Sequence, residues 1–315
     1  MRNAFANTLI KLAEEDERII FLTGDLGFQV FDEFRERFGP RFVNVGVAEA
    51  QMVCAAAGLA LEGWRPIIYS IASFATARAF EQIKISVNYH SLPIVIVGGG
   101  GGYFYAASGV THHAADDFAL MSALPGMTVV APGDPEELSQ LLVQLTQLRG
   151  PSYFRIGGYG EPVYEAQEPV LLGKARLLRE GEQVAVLTTG DIATEALSAL
   201  ESLDDYIQPL MYQFHTVKPL DTQILDSIEN QVHTILVIEE HIPSGGLSAA
   251  INAWHTKNNS HVTLQRLGPT DVLSLGNVQR TELRRRFGYD AEAIAQALRN
   301  AWVCREINAE KVSCC

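Results

Sequence analysis

The chain has 315 residues, 47% hydrophobic and 19% charged, too many for one ordinary domain and suited to two globular domains with sizeable cores. A formal net charge of −13 argues against a nucleic-acid binder, because nothing here would neutralise a phosphate backbone. No apolar run approaches the roughly 20 residues that span a bilayer, so no membrane partner is expected.

Strand and helix patterns alternate along the whole chain. The start, MRNAFANTLIKLAEEDERIIF, reads as an amphipathic helix entering a strand rather than as a signal peptide, and a cytoplasmic location is expected. That strand (18–25) ends at Gly24-Asp25. A short strand (42–46) runs into an alanine-rich helix, AEAQMVCAAAGLALEG. A strand at 65–72 and a helix over 76–88 follow. The strand 92–100 dissolves into glycines, and after a loop come a helix near 115–123, a strand at 127–132, a helix near 134–147 and a strand at 151–157.

Residues 158–173 have the Gly, Pro and Glu content of a linker. Beyond it, strands are predicted at 183–190, 207–214, 234–240 and 262–268, with helices near 192–203, 221–229, 246–256 and 290–302. VKPLD (217–221), EEH (239–241) and SGGL (244–247) read as turns and helix starts. Apolar strands this continuous belong to parallel sheets covered on both faces. The expected fold is therefore α/β in two domains, each a mostly parallel sheet flanked by helices. The boundaries are 1–160 for the first domain, 161–173 for the linker, 174–305 for the second domain and 306–315 for a flexible tail. The cysteines Cys54, Cys304, Cys314 and Cys315 have neither metal-ligand spacing nor a disulfide framework. Cys54 is expected to be a buried thiol, and the terminal pair to sit on the polar tail.

Four stretches carry chemistry. In NVGVAEAQMVCAAAGLA (44–60), Glu49 opens a helix; it either complements the helix dipole or, among Val47, Ala48, Met52 and Val53, sits where poor solvation favours a neutral carboxyl able to donate a hydrogen bond. Phe74, at the turn in YSIASFATARAFEQIK (69–84), is either core or a flat face for a heteroaromatic ring. Arg78, Glu81, Gln82 and Lys84 read as surface or interface pairing. The loop 97–117 holds five consecutive glycines, the aromatics Tyr103, Phe104 and Tyr105, and the pair His112-His113. It is too long for an ordinary connection and suits a substrate-facing loop, with His112 at the site mouth rather than on a metal. Arg155, alone in the strand PSYFRIG, either binds an anionic substrate group or pairs with a carboxylate.

The order of GDL (24–26), NVGVAEAQ (44–51), Phe74 to Gln82, GVTHH (109–113) and LPGMTVVAPGDPEE (124–137) resembles the pyrimidine-binding domain of transketolases. LTTG (187–190), TVKPLD (216–221), EEH and SGGL resemble that family's C-terminal domain. The resemblance covers nearly the whole chain and rests on the combination of motifs. It implies thiamine diphosphate and Mg2+ as cofactors. The magnesium-binding GDG…N segment has no match here, since Gly24-Asp25-Leu26 and Gly190-Asp191-Ile192 only superficially resemble it. The implied protein is the C-terminal subunit of a split transketolase, active with a separate N-terminal subunit in an α2β2 complex and moving a two-carbon ketol unit between sugar or sugar-phosphate substrates.

By the same resemblance Glu49 matches the glutamate that hydrogen-bonds N1′ of the aminopyrimidine and favours its imino tautomer. Phe74 matches the aromatic stacked on that ring, with Ile71 where a second aromatic is frequent, and Asp25 is counted with the cofactor-contacting residues. His112 matches a substrate-facing catalytic histidine, and Arg155 an arginine that holds a sugar phosphate. Departures qualify the substrate. Ser108 replaces an aspartate, Val110 replaces a proline, and the histidine near Gly100 and the serine near Gln29 are missing. A substrate other than a standard pentose phosphate, in a specialised pathway, is expected. The competing readings are the β-subunit of a 2-oxoacid dehydrogenase and a non-catalytic regulatory subunit; retention of Glu49, Phe74 and His112 together speaks against the second.

Overall fold

The computed structural model describes residues 1–164 and 169–312; Cys314 and Cys315 lie outside the described residues, as does the side chain of Cys304. The first sheet is built from β1 (Ile19–Thr23), β2 (Phe42–Asn44), β3 (Arg65–Ile71), β4 (Val95–Gly99), β5 (Thr128–Val130) and β6 (Ser152–Ile156). The second half of the chain supplies β7 (Arg176–Arg179), β8 (Gln183–Thr188), β9 (Leu210–Gln213), β10 (Thr216–Lys218), β11 (Val232–Ile238) and β12 (Thr263–Leu267). The sheets are ordered β10-β5-β6-β4-β3-β1-β2 and β12-β11-β8-β9-β7. All pairings are parallel except β10 on β5 and β7 on β9. The fold is thus α/β with two mostly parallel sheets.

Every residue of β1 is buried, because helices cover both faces of the sheet. Ile19 and Phe21 point into a core formed with the helices Arg2–Glu15 and Pro135–Thr146, where Phe21 meets Phe31 at 4.7 Å and Phe5 at 6.1 Å between ring centroids. Ile20 and Leu22 point the other way, into a core with Met52, Val53 and Ala56 of the helix Glu49–Leu61. That helix covers the sheet with one side only. Gln51, Cys54, Gly58 and Leu61 face outward, so Cys54 is exposed rather than buried. Val47, counted among the apolar neighbours of Glu49, is likewise 74% exposed.

The continuous helix expected over 76–88 is broken into a turn of α-helix (Ala72–Ala75), a 3₁₀ turn (Ala77–Ala79), a short α segment (Phe80–Gln82) and a π-helical segment (Ile83–Asn88). Such interruptions concentrate where a side chain must be re-aimed. The last helix runs over Ala291–Val312, beyond the 290–302 expected and into the stretch read as a tail.

The two halves are welded rather than hinged. VKPLD, read as a turn or helix start, overlaps β10, which pairs antiparallel with β5 and so extends the first domain's sheet. Lys218 then donates from Nζ to the carbonyls of Ser122 (2.8 Å) and Leu124 (2.7 Å). A second weld uses a helix cap. Asp134 accepts from the amide of Glu137 while Glu137 accepts from the amide of Gly133, each at 2.7 Å, a reciprocal capping box at the start of Pro135–Thr146. Both carboxylates are fully buried, and Arg176 of β7 bridges them at 3.1 and 3.3 Å.

Candidate active site

Strand order reverses beside β1: the chain steps from β1 to β2 on one side and then crosses to β3 on the other. In open parallel sheets the crevice at such a switch point, beyond the C-terminal strand ends, is where ligands bind. Gly24 follows β1, Glu49 opens the helix after β2, Phe74 follows β3 and His112 lies in the loop after β4. Four connections thus converge on one edge.

Glu49 is the centre of this cluster. Its side chain is 1% exposed, yet it is the first residue of its helix, a position that favours a carboxylate. The Ser70 hydroxyl, near the end of β3, donates to Oε1 at 2.9 Å, and Nη1 of Arg78 donates to Oε2 at 2.8 Å. The Arg78 guanidinium carbon lies 4.0 Å from the ring centroid of Phe74. The Phe74 ring meets His112 edge-on at 5.0 Å, and His112 meets Tyr105 at 6.1 Å. Thr111 Oγ1 lies 3.0 Å from His112 Nδ1. Asp25, exposed and at φ +59°, is held by Asn44: its amide donates to Asn44 Oδ1 at 3.0 Å and its Oδ1 accepts from Asn44 Nδ2 at 2.9 Å.

The structure therefore links Glu49, Phe74 and His112 in one chain of contacts through Arg78, with Asp25 one residue beyond Gly24 at its rim. Arg155 is not part of it. Its guanidinium is buried, 3.4 Å from Asp117 and 3.0 Å from the Glu240 carbonyl it donates to, and it lies over the Phe118 ring at 4.5 Å. An arginine so engaged holds the two domains together. Of the two readings the sequence left open, pairing with a carboxylate is the one observed. The glycines of 98–102 also answer to packing. A β-carbon on Gly99 would come within 2.7 Å of the Tyr69 hydroxyl, and side chains on Gly101 and Gly102 would collide with Arg155.

Sequence reasoning missed Ser70 and Arg78, the two groups that hold Glu49. Ser70 carries no motif of its own; only its place at the end of β3, in register with Gly98 of β4, brings it to the site. Arg78 was read as surface or interface pairing, and its place in the Phe74 to Gln82 motif was the available signal. Among the described residues no group of three His, Cys, Asp or Glu side chains could hold a metal ion. No described helix is long and apolar enough to cross a membrane.

Comparison with known proteins agrees with this architecture. Residues 1–157 match the family described as transketolase, pyrimidine binding domain, and residues 173–294 match transketolase, C-terminal domain. A putative transketolase C-terminal section from Methanocaldococcus jannaschii is 33% identical over 95% of both chains. A 6-deoxy-6-sulfo-D-fructose transketolase subunit from Clostridium sp. (strain MSTE9) is 34% identical over 94% of this chain and 92% of its own. The 1-deoxy-D-xylulose-5-phosphate synthase of Gloeobacter violaceus is 31% identical over 98% of this chain, which spans only 49% of that protein. Among solved structures, a split gene transketolase described as an inactive beta4 tetramer superposes with a TM-score of 0.85 at 28% identity, covering 95% of this chain and 97% of its own. The chain belongs to the transketolase family and carries that family's pyrimidine-binding and C-terminal domains.

Proposed function

We propose that this chain is the catalytic-glutamate half of a split transketolase, transferring a two-carbon ketol unit between sugar or sugar-phosphate substrates when assembled with a separate N-terminal subunit. The observation that carries the proposal is the buried Glu49 carboxyl joined through the Arg78 guanidinium to the ring of Phe74, with His112 against the same ring, at the switch point of a parallel sheet. These residues fit thiamine diphosphate: a carboxyl fixed by Ser70 on one oxygen and bonded on the other to the half-exposed Arg78, whose guanidinium lies on an aromatic face of the size of a pyrimidine. When bound, that coenzyme supplies the electron sink for breaking and making the carbon–carbon bond beside a ketose carbonyl.

Each of the four site residues then has a definite task. Glu49 would hold the coenzyme's pyrimidine ring by a hydrogen bond from its carboxyl, and Phe74 would offer its face to that ring. His112, partly exposed at the mouth, hydrogen-bonds the substrate and takes or returns a proton there. Asp25 borders the coenzyme at the rim. The ligands of Mg2+ are assigned to the N-terminal subunit, in an α2β2 complex with contact between copies of this chain. The domains are assigned as 1–160, a linker 161–173, and 174–305.

The decisive variant is Glu49→Gln, which keeps the volume and removes the acid. Co-expressed with an N-terminal transketolase subunit, it is expected to fold normally and lose turnover by at least about 10²-fold, the scale of a positioned acid–base group. Wild-type rates in that complex would end the proposal. Relatives named 1-deoxy-D-xylulose-5-phosphate synthase favour a second reading, in which the product is that compound; assaying its formation beside ketol transfer separates the two.

A further inference from the structure

We infer that in the unassembled chain the Arg78 guanidinium stands in the place of the coenzyme's aminopyrimidine, stacked on Phe74 and bonded to Glu49, and must swing out for the coenzyme to enter. The inference rests on the assignment of Glu49 and Phe74 as the coenzyme's partners.

Two contacts define the place. Arg78 Nη1 reaches Glu49 Oε2 at 2.8 Å, and its Cζ lies 4.0 Å from the Phe74 centroid, the separation of a stacked plane. A guanidinium is flat, delocalised and rimmed with in-plane N–H donors. It therefore makes the same two contacts that a protonated or amino-substituted pyrimidine would make with the same pair. Ser70 already takes Oε1, so Oε2 is the oxygen left for either group. One face of Phe74 and one carboxylate oxygen cannot serve two flat groups at once, because each stacked plane needs its own van der Waals thickness of about 3.5 Å.

The occupant is also built to leave. Glu49 is 1% exposed whereas the Arg78 side chain is 44% exposed, so its outer side already faces water. Its backbone lies in the 3₁₀ turn Ala77–Ala79, anchored at the preceding Thr76, whose hydroxyl donates to the Ala72 carbonyl at 2.7 Å. Release thus needs only rotation about side-chain bonds, with the helix start left in place. In the closed state the buried carboxylate of Glu49 keeps a cationic partner, so that this charge is not left unpaired in a chain without its partner subunit. The cost appears in affinity: a site open in a fraction of molecules binds more weakly by that fraction.

The test uses the full chain with labelled arginine, and thiamine as the probe, since the diphosphate ligands are assigned to the other subunit. Before addition, the Arg78 guanidinium resonances are expected to carry a ring-current shift that Phe74→Leu removes. Saturating thiamine should return them to the position of a solvated arginine, and Arg78→Ala should bind thiamine about tenfold more tightly than wild type. Thiamine binding with the Arg78 resonances unmoved, or an alanine variant that binds equally or less well, overturns the displacement and leaves the Glu49 site standing. Failure of wild type and alanine variant alike to bind thiamine at any concentration removes both the displacement and the coenzyme site beneath it.

Discussion

The hydroxyl of Ser70 donates to Oε1 of Glu49 across 2.9 Å, tying the end of β3 to the first turn of the helix after β2. Both groups are buried, so this bond decides which carboxylate oxygen is turned toward the opening. Ser70→Ala leaves Oε1 without that donor, a loss worth about 1–3 kcal/mol for a buried polar atom. In the assembled complex turnover should fall roughly tenfold, with Ser70→Thr retaining more of it than alanine. Unchanged kcat in Ser70→Ala would mean that the orientation of Glu49 is set elsewhere.

Phe74 and His112 touch the same space but answer to different ligands. Phe74→Ala removes a stacking face worth about 0.5–1.5 kcal/mol beyond its area and should weaken coenzyme binding by roughly tenfold. His112→Asn should leave coenzyme affinity within about twofold while lowering kcat/KM for the sugar by about 10²-fold. Calorimetry for the coenzyme and steady-state kinetics for the sugar read the two effects apart. Equal losses in both measurements for both variants would show that the residues do not divide the work.

Arg176 bridges Asp134 and Glu137 across the domain junction, all three buried. Arg176→Met strands two carboxylates in the interior and should cost about 3–5 kcal/mol of unfolding free energy. Adding Asp134→Asn and Glu137→Gln should recover part of that loss by removing the stranded charges. Urea unfolding of the two variants checks the order; a single-variant loss of under about 1 kcal/mol contradicts the weld.

Stability should depend on pH through the same junction. Burial, then the nearby Arg176 charge, holds His215 down to about 4 from its ordinary 6.5. The unfolded chain therefore takes up a proton that the folded chain refuses. Stability from this residue is complete above about pH 6.5 and falls by about 1.4 kcal/mol per unit through the window down to 4. His241 acts in the same direction, held down to about 3 by burial first and by Arg155. Glu137 opposes them: burial pushes it up to about 7, so its contribution is lost as pH rises from 4.5 toward 7. The histidines outweigh it below about pH 6. His215→Asn should flatten the acid limb of unfolding midpoint against pH, and an unaltered limb would assign the acid sensitivity to other groups.

The alternation of apolar strands with amphipathic helices made the α/β fold legible, because continuous strands such as IIFLT are stable only between two covered faces. The motif order around Glu49, Phe74 and His112 was equally legible, since each lies in a connection that follows a strand. β10 was not: three residues of TVK carry no periodicity, and they become a strand only because β5 offers an open edge. The surroundings of Arg155 were hidden for a related reason. A lone arginine in a strand looks like an anion site until Asp117 and the Glu240 carbonyl, 38 and 85 residues away, are seen to surround it.

The sequence by itself determined the two sheets, the family and the carboxyl at the head of its helix, because local periodicity and motif spacing are properties of neighbouring residues. Only the tertiary structure decided that Cys54 faces outward, that β10 crosses into the other sheet, and that Ser70 and Arg78 hold the two oxygens of Glu49. Those outcomes depend on which surfaces meet across long chain separations. A hydrogen bond of 2.8 Å between residues 29 positions apart leaves no imprint on the order of either segment.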